Sequence, residues 1–289
     1  MSNTIELAKS FVPKLDECYR LASLTSVLDG APELAKQGAN ANELIIPMMS
    51  MDGLADYSRN GGYVQGGVTM TNETVKCNFD RGRRFDMDVM DDLETAGLAF
   101  GRLSAQFIRD KVVPELDAFR FASYCGISGV TKKEETLADG AATVAALSAA
   151  VTAMDDEEVT ATGRYLFITP TLLQGINDMD TTKSKKVLEG FERVIKVPQR
   201  RFYTAIKQLS GKTGEEAGGY TKAAGAANIN FSIIQKDALI QYTKHAAPKI
   251  IAPENNPDAD AYVFGYRMVG IAKAYKNMLS GMYFSHDQA

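Results

Sequence analysis

The groups in this 289-residue sequence that could do chemistry are few: two histidines, three cysteines, one Gly-Lys-Thr run and two acidic clusters. His245 sits in Tyr242-Thr243-Lys244-His245-Ala246-Ala247, where no second ligand follows at a metal-binding spacing. A nucleophile, base and orienting acid would have to converge on it from elsewhere, so it reads as a structural histidine. His286 falls in a C-terminal tail expected to be loose. Cys18, Cys77 and Cys125 are odd in number and far apart, with no CxxC pair. That pattern supports neither a disulfide framework nor a zinc site. They read as small buried hydrophobes of a protein made in a reducing cytoplasm.

Gly211-Lys212-Thr213 resembles the end of a phosphate loop, but the glycine required five positions earlier is Ile206. The residues after it, Gly214-Glu215-Glu216-Ala217-Gly218-Gly219, do not open a helix, and no GxGxxG occurs. Asp86, Asp88, Asp91 and Asp92 could face a divalent cation, yet the glycine and terminal glutamate of a calcium loop are missing. A second run, Asp155-Asp156-Glu157-Glu158, is expected to open the segment after an alanine-rich helix. No catalytic set, metal site or cofactor is expected from these residues.

The balance of charge excludes other classes. The formal net charge is -4, and lysine and arginine are spread along the chain, so nothing marks a reader of nucleic-acid phosphates. A hydrophobic fraction of 45% with 24% charged residues is ordinary for a globular protein. The N-terminal residues lack a basic region followed by an apolar run, and Ala141 to Met154 is too short to span a bilayer. No membrane partner is expected. The one abrupt charge feature is Arg81, Arg83 and Arg84 followed by Asp86, Asp88, Asp91, Asp92 and Glu94. The acidic group reads as a helix start, with Asp91 or Asp92 as N-cap. It is either a solvated cap or one half of an intersubunit ion pair.

The elements that carry these groups do not alternate regularly, so the class is α+β without a βαβ repeat. Phe11, Leu15, Tyr19 and Ala22 give the first 30 or so residues one apolar helical face, with Pro13 in a first turn. So short a piece must dock on the rest of the chain or on a neighbour. Leu44 to Met49 is a strand that Pro47 assigns to an edge position. A glycine-rich tip from Gly53 to Gly67 follows, then a second extended run, Val68 to Phe79. Together they form a long hairpin. Two strands alone are marginal in water, so a projecting hairpin needs another surface to lie on. Ala96, Phe100, Leu103, Phe107, Ile108, Val112, Leu116 and Phe119 predict a helix from about Asp92 to Ser123. Some 30 residues make a spine about 45 Å long. Pro114 predicts a kink or break between Asp110 and Val113. Further along, Ala141 to Met154 and Thr171 to Met179 read as helices. Arg164 to Ile168, Ile229 to Ile234, Ala238 to Ile251, Ala261 to Tyr275 and Met278 to Phe284 read as strands, and Lys212 to Gly225 as a mobile loop.

This order of arm, glycine-tipped hairpin, acidic helix start, long helix and α+β body resembles the major capsid proteins of tailed bacteriophages, which have the Hong Kong 97 fold. Met51-Asp52-Gly53-Leu54-Ala55-Asp56-Tyr57-Ser58-Arg59-Asn60-Gly61-Gly62-Tyr63 is similar to their hairpin tip. Cys77-Asn78-Phe79-Asp80-Arg81-Gly82-Arg83 resembles the descending strand, and Pro114 to Arg120 the end of the spine helix. Lys249 to Glu254 and Gly265-Tyr266-Arg267 resemble the late strands.

The resemblance implies an N-terminal arm (1–41) and an extended hairpin loop (42–90). It implies a peripheral domain of 91–127 with 236–289, and an axial domain of 128–235. It implies hexamers and pentamers closing into an icosahedral shell around double-stranded DNA held by non-specific contact, with a portal protein, in a virion made in the bacterial cytoplasm. The expected intersubunit contacts are Tyr57, Arg59 and Tyr63 at the tip, Arg81, Arg83 and Arg84 below it, and the acidic residues Asp88 and Asp91. Some members crosslink through a hairpin lysine, but residues 37–75 contain none, so non-covalent contacts are expected. The short arm implies a separate scaffolding protein. An encapsulin-like compartment shell shares the fold. A nucleotide-binding enzyme built on Gly211-Lys212-Thr213 and His245 is the alternative from another class.

Overall fold

The computed structural model describes residues 23–30, 36, 37, 43–90 and 104–288. In chain order the strands and helices are β1 (Lys36–Gln37), β2 (Glu43–Met51), β3 (Val68–Lys76), β4 (Phe79–Asp88), α1 (Val113–Cys125), β5 (Thr131–Glu134), α2 (Gly140–Asp156), β6 (Arg164–Ile168), α3 (Pro170–Asp178), α4 (Thr182–Glu189), β7 (Arg193–Lys196), β8 (Ile206–Gln208), β9 (Tyr220–Lys222), β10 (Ile229–Gln235), β11 (Leu239–Ile251), β12 (Ala261–Ala274) and β13 (Met282–His286).

The hairpin is present as β2 and β3, paired antiparallel from Glu43↔Lys76 to Met51↔Val68. β1 pairs with Leu44 and Ile45 on the other side of β2. Among the described residues none pairs with Pro47 on that side, where a residue without a backbone donor is tolerated. The second extended run is interrupted at Asn78, whose side-chain amide bonds the Ala272 carbonyl at 2.9 Å and whose carbonyl accepts the Ala272 N–H at 3.0 Å. There the chain leaves the β2–β3 hairpin (the projecting arm) and enters a second sheet, β11-β12-β4.

The strand expected from the likeness of Cys77 to Arg83 continues through Asp86 and Asp88: the segment is strand β4, antiparallel to β12 from Asp88↔Ala261 to Phe79↔Gly270. Alternation explains it. Phe79, Arg81, Arg83, Phe85 and Met87 lie on one face, with Phe79 and Phe85 packed with Ile108, Val113 and Leu116 of the helix. Asp80, Arg84, Asp86 and Asp88 lie on the other face, exposed. Asp91 and the first part of the predicted spine, through Leu103, lie outside the described residues, as do Cys18 and the apolar stripe Phe11 to Ala22. From 104 to 125 the spine is continuous. Pro114 does not break it. A π turn over Ile108–Val112 precedes the proline, which cannot donate to the carbonyl one turn back.

Five of the remaining strands form a sheet in the order β5-β13-β10-β6-β7, and β8 and β9 pair as a separate ribbon. Every residue of β6 and β10 is buried, as a sheet covered on both faces requires. One face packs Tyr165, Phe167, Ile234 and Phe284 on Phe121, Tyr124 and Phe202. The other packs Leu166, Ile168, Phe231 and Ile233 on Val144, Leu147 and Ala150 of α2 and Leu173 of α3. β6 and β7 are parallel, joined through α3 and α4, so one βαβ crossover exists inside the α+β fold. α4, absent from the sequence reading, starts at a capping box between Thr181 and Ser184.

Four local expectations are corrected. His286 is a residue of β13, paired with Ile229 and Glu134, and not part of a loose tail. Asp155 and Asp156 close α2 instead of opening the next segment, because the buried Arg164 guanidinium binds Asp155 at 2.7 Å. Lys212 to Gly225 contains β9 and is tied to β4 by arginines. The C-terminal strand β13, expected with the peripheral segment, is hydrogen-bonded between β5 and β10 of the 128–235 sheet.

A buried polar network fastens residues 23–30 to this body. Asp117, fully buried on α1, accepts from Ser23 Oγ at 2.9 Å and Thr25 Oγ1 at 2.7 Å, and pairs with Arg201 at 3.2 Å. One turn on, Arg120 donates to Thr25 Oγ1 and Asp29, and Gln241 of β11 donates to Thr25 O and Asp29 at 2.7 Å. Charges this deep persist only when each is paired and hydrogen-bonded.

Candidate assembly surface

The arm stands clear of the body. From 49 to 72 every residue is exposed except Gly62, which is partly covered. Its root is held by Val75, buried against Ile240 and Ile271. Because side chains alternate across a strand, Met49, Met51, Val68 and Met70 share one face, and the register sets Met49 opposite Met70 and Met51 opposite Val68. They are 58%, 65%, 67% and 64% exposed. Contiguous apolar side chains in water mark an interaction surface.

The tip is shaped by two nested closures. Asp52 donates its backbone N–H to the Gly67 carbonyl at 3.2 Å and accepts the Gly67 N–H on its carboxylate at 2.7 Å. Further out, Ser58 and Gly62 bridge antiparallel, Ser58 Oγ accepts from Gly61 N at 3.1 Å, and Gly62 takes φ +75. That left-handed conformation strains any residue with a Cβ. The turn brings the Tyr57 and Tyr63 rings to 4.9 Å. Leu54, beside them, has no cover at all. Arg59 is exposed in the same turn.

Two of the three arginines below the arm, Arg81 and Arg83, bind within their own subunit. Arg81 Nε binds Glu115 Oε1 at 2.8 Å, and its Nη2 donates to the carbonyls of Leu209 and Gly219 at 2.7 and 3.2 Å. Arg83 Nη2 donates to the Glu216 carbonyl at 2.8 Å. Gly211 and Gly218 lie against the same guanidinium, and a Cβ on either would stand about 3 Å from Nη1. Both arginines therefore clasp the β8–β9 loop of their own subunit. Burial holds the Glu115 carboxyl above its ordinary range despite the neighbouring Arg81. Arg84 pairs with Asp86 at 2.7 Å in solvent, and Asp88 accepts the Met90 N–H at 2.8 Å. The structure thus groups Tyr57, Arg59 and Tyr63 at the tip and separates them from Arg81, Arg83, Arg84 and Asp88. The methionine face was missed by sequence reasoning, although the alternation Met49-x-Met51 and Val68-x-Met70 carried the signal.

The clasp roofs a cleft of about 1000 Å³ between β4, the spine and the β8–β9 loop, lined by Phe107, Glu115, Tyr203 and Tyr266 among others. Gly211-Lys212-Thr213 is a turn between two short strands on its rim, with Gly211 at φ +72, and no helix follows to receive a phosphate. Among the described residues no three His, Cys, Asp or Glu side chains gather as metal ligands. None of their helices is long and apolar enough to cross a membrane.

No family model matches the sequence, and no curated protein matches it. Solved structures do match the fold. A structure from Gordonia phage Cozz aligns over 93% of this chain and 87% of its own, with TM-score 0.61 at 10% identity. The virus-like particle from Pyrococcus furiosus aligns over 96% and 98%, with TM-score 0.60 at 9% identity. The capsid of cyanophage P-SCSP1u aligns over 87% and 85%, with TM-score 0.57 at 12% identity. The chain has the Hong Kong 97-like capsid fold.

Proposed function

We propose that this chain is a major capsid protein, a subunit that assembles into the icosahedral head shell of a tailed bacteriophage. The observation that carries the reading is the projecting arm with its solvent-exposed apolar face, on a fold shared with capsid structures. An arm so exposed is stable only if another surface covers it, and a second copy of the chain is the partner. Many weak contacts of this kind sum through multivalency. Tyr57, Arg59 and Tyr63 act at the contact, with Arg84, Asp88 and Asp91 as candidate charged partners. Arg81 and Arg83 serve mainly to set the clasped loop. The peripheral unit is the spine with β4, β11 and β12, and the axial unit is 128–235 together with β13.

In this reading the partners are hexamers and pentamers of the same chain, a separate scaffolding protein, a portal protein and packaged double-stranded DNA. The protein works in the virion after synthesis in the bacterial cytoplasm, and its work is assembly rather than catalysis. The near-complete alignment with a virus-like particle favours one second reading, an encapsulin-like compartment shell. Electron microscopy of purified particles tests both: closed icosahedral shells are expected, containing DNA in the first case and protein cargo in the second. Protein that stays monomeric or forms only small rings, with or without a scaffold, defeats both.

A further inference from the structure

The arm's apolar face is built mostly from thioethers. Three of its four side chains, Met49, Met51 and Met70, are methionines more than half exposed, while Met154, Met268 and Met282 are buried in the body. An unbranched, polarisable thioether moulds to irregular surfaces, which suits a contact repeated against non-identical neighbours. It is also the side chain that two-electron oxidants convert from apolar to polar. The two described cysteines do not compete well, because burial raises the thiol pKa of Cys77 and lifts that of Cys125 to about 11, leaving little thiolate at neutral pH.

We propose that Met49, Met51 and Met70 form a modification site at which oxidation by a peroxide-class reagent blocks docking of the arm on a second copy. The inference rests on the assembly reading above and adds a control to it. In the chemical step a sulfur lone pair attacks one peroxide oxygen, the O–O bond breaks and an S–O bond forms. The sulfur loses two electrons, becoming a sulfoxide, and the hydrogen peroxide is reduced to water. The sulfoxide oxygen is a strong acceptor that an apolar seat cannot satisfy. Because Met49 and Met70 face each other across the ladder, oxidation of either changes the same patch. Once the arm is docked the sulfurs are covered, so unassembled subunits are the vulnerable species. A sulfoxide reductase with a thiol donor restores the apolar face.

The test treats purified, unassembled protein with limiting hydrogen peroxide. Oxidised positions are read by peptide mass spectrometry, and assembly by sedimentation and electron microscopy. Met49, Met51 and Met70 are expected to gain oxygen before Met154, Met268 and Met282, and the assembled yield to fall by about tenfold or more. In the triple variant Met49→Leu, Met51→Leu, Met70→Leu the ratio of treated to untreated assembled yield is expected to stay near one, whatever its untreated yield, although the exposed Met90 and Met278 still oxidise. Reductase treatment is expected to recover the wild-type yield. Full assembly of wild-type protein oxidised at all three positions overturns the proposal. So does a triple variant that loses assembly to peroxide as wild type does. Wild-type protein that never assembles, even untreated, overturns the shell reading and this proposal with it.

Discussion

The Asp117 carboxylate on the spine helix accepts the Thr25 hydroxyl at 2.7 Å, joining residues 92 positions apart in the chain. The same oxygen also takes the Ser23 hydroxyl, and the other pairs with Arg201. One buried side chain thus binds the N-terminal segment, the spine and the segment after β7.

Removing it leaves Arg201 and two hydroxyls without their acceptor. Asp117→Ala is expected to lower stability by about 3–5 kcal/mol, the usual consequence of breaking a buried charge pair. Asp117→Asn keeps one acceptor and should lose less. Chemical denaturation measures both, and a loss below about 1 kcal/mol for alanine would show that the network holds little.

Arg81 reaches in two directions at once, to Glu115 and to the Leu209 and Gly219 carbonyls. Arg81→Ala should release the β8–β9 loop and speed tryptic cleavage after Lys212 by about tenfold or more. Arg81→Lys should fail to restore protection, because a single ammonium cannot replace the forked guanidinium.

α2 and α3 cross at a pair of glycines, and the two are not equivalent. A Cβ on Gly140 would meet the Gly175 carbonyl oxygen at 2.1 Å, whereas a Cβ on Gly175 would meet Gly140 at 3.5 Å. Gly140→Ala is expected to cost about 1–3 kcal/mol by forcing the helices apart. Gly175→Ala should be nearly neutral in a thermal melt.

Burial raises the Cys125 thiol from its ordinary 9.0 to about 11, corresponding to roughly 3 kcal/mol. The folded state favours the neutral thiol, so this contribution is complete below pH 9 and is lost as pH rises towards 11. Wild type should therefore lose stability more steeply than Cys125→Ala across that window. Parallel stability–pH curves there would refute the assignment.

At the arm tip, replacing Leu54, Tyr57 and Tyr63 by serine removes no intrasubunit core contact. Folding stability should stay within about 0.5 kcal/mol while shell formation is lost, as followed by melting and electron microscopy. Unchanged assembly would move the contact elsewhere.

The hairpin, spine end and late strands were legible because their periodicities are local. Leu44 to Met49 is a short apolar run, Val68 to Lys76 is rich in valine and threonine, and Leu116 and Phe119 repeat at helical spacing. Residues 84–88 were not legible as strand, because charge near a helix start and charge on the outer face of a strand look alike in one dimension. What decides it is pairing with β12, nearly two hundred residues downstream. The inward role of Arg81 and Arg83 was illegible for the same reason: their acceptors are backbone carbonyls, which no residue type announces. At the site the aromatic tip was readable from its glycines, whereas the methionine face needed the cross-strand register.

The place of β13 has a consequence for biosynthesis. Its partners β5 and β10 both precede it in the chain, and it lies between them. At about 5–20 residues per second, a ribosome exposes β5 many seconds before the strand that must separate it from β10. Until then the sheet has a gap where its inner strand belongs, and the face that α1 packs against is incomplete. The order of synthesis therefore acts as a delay, holding the sheet incomplete until β13 has inserted.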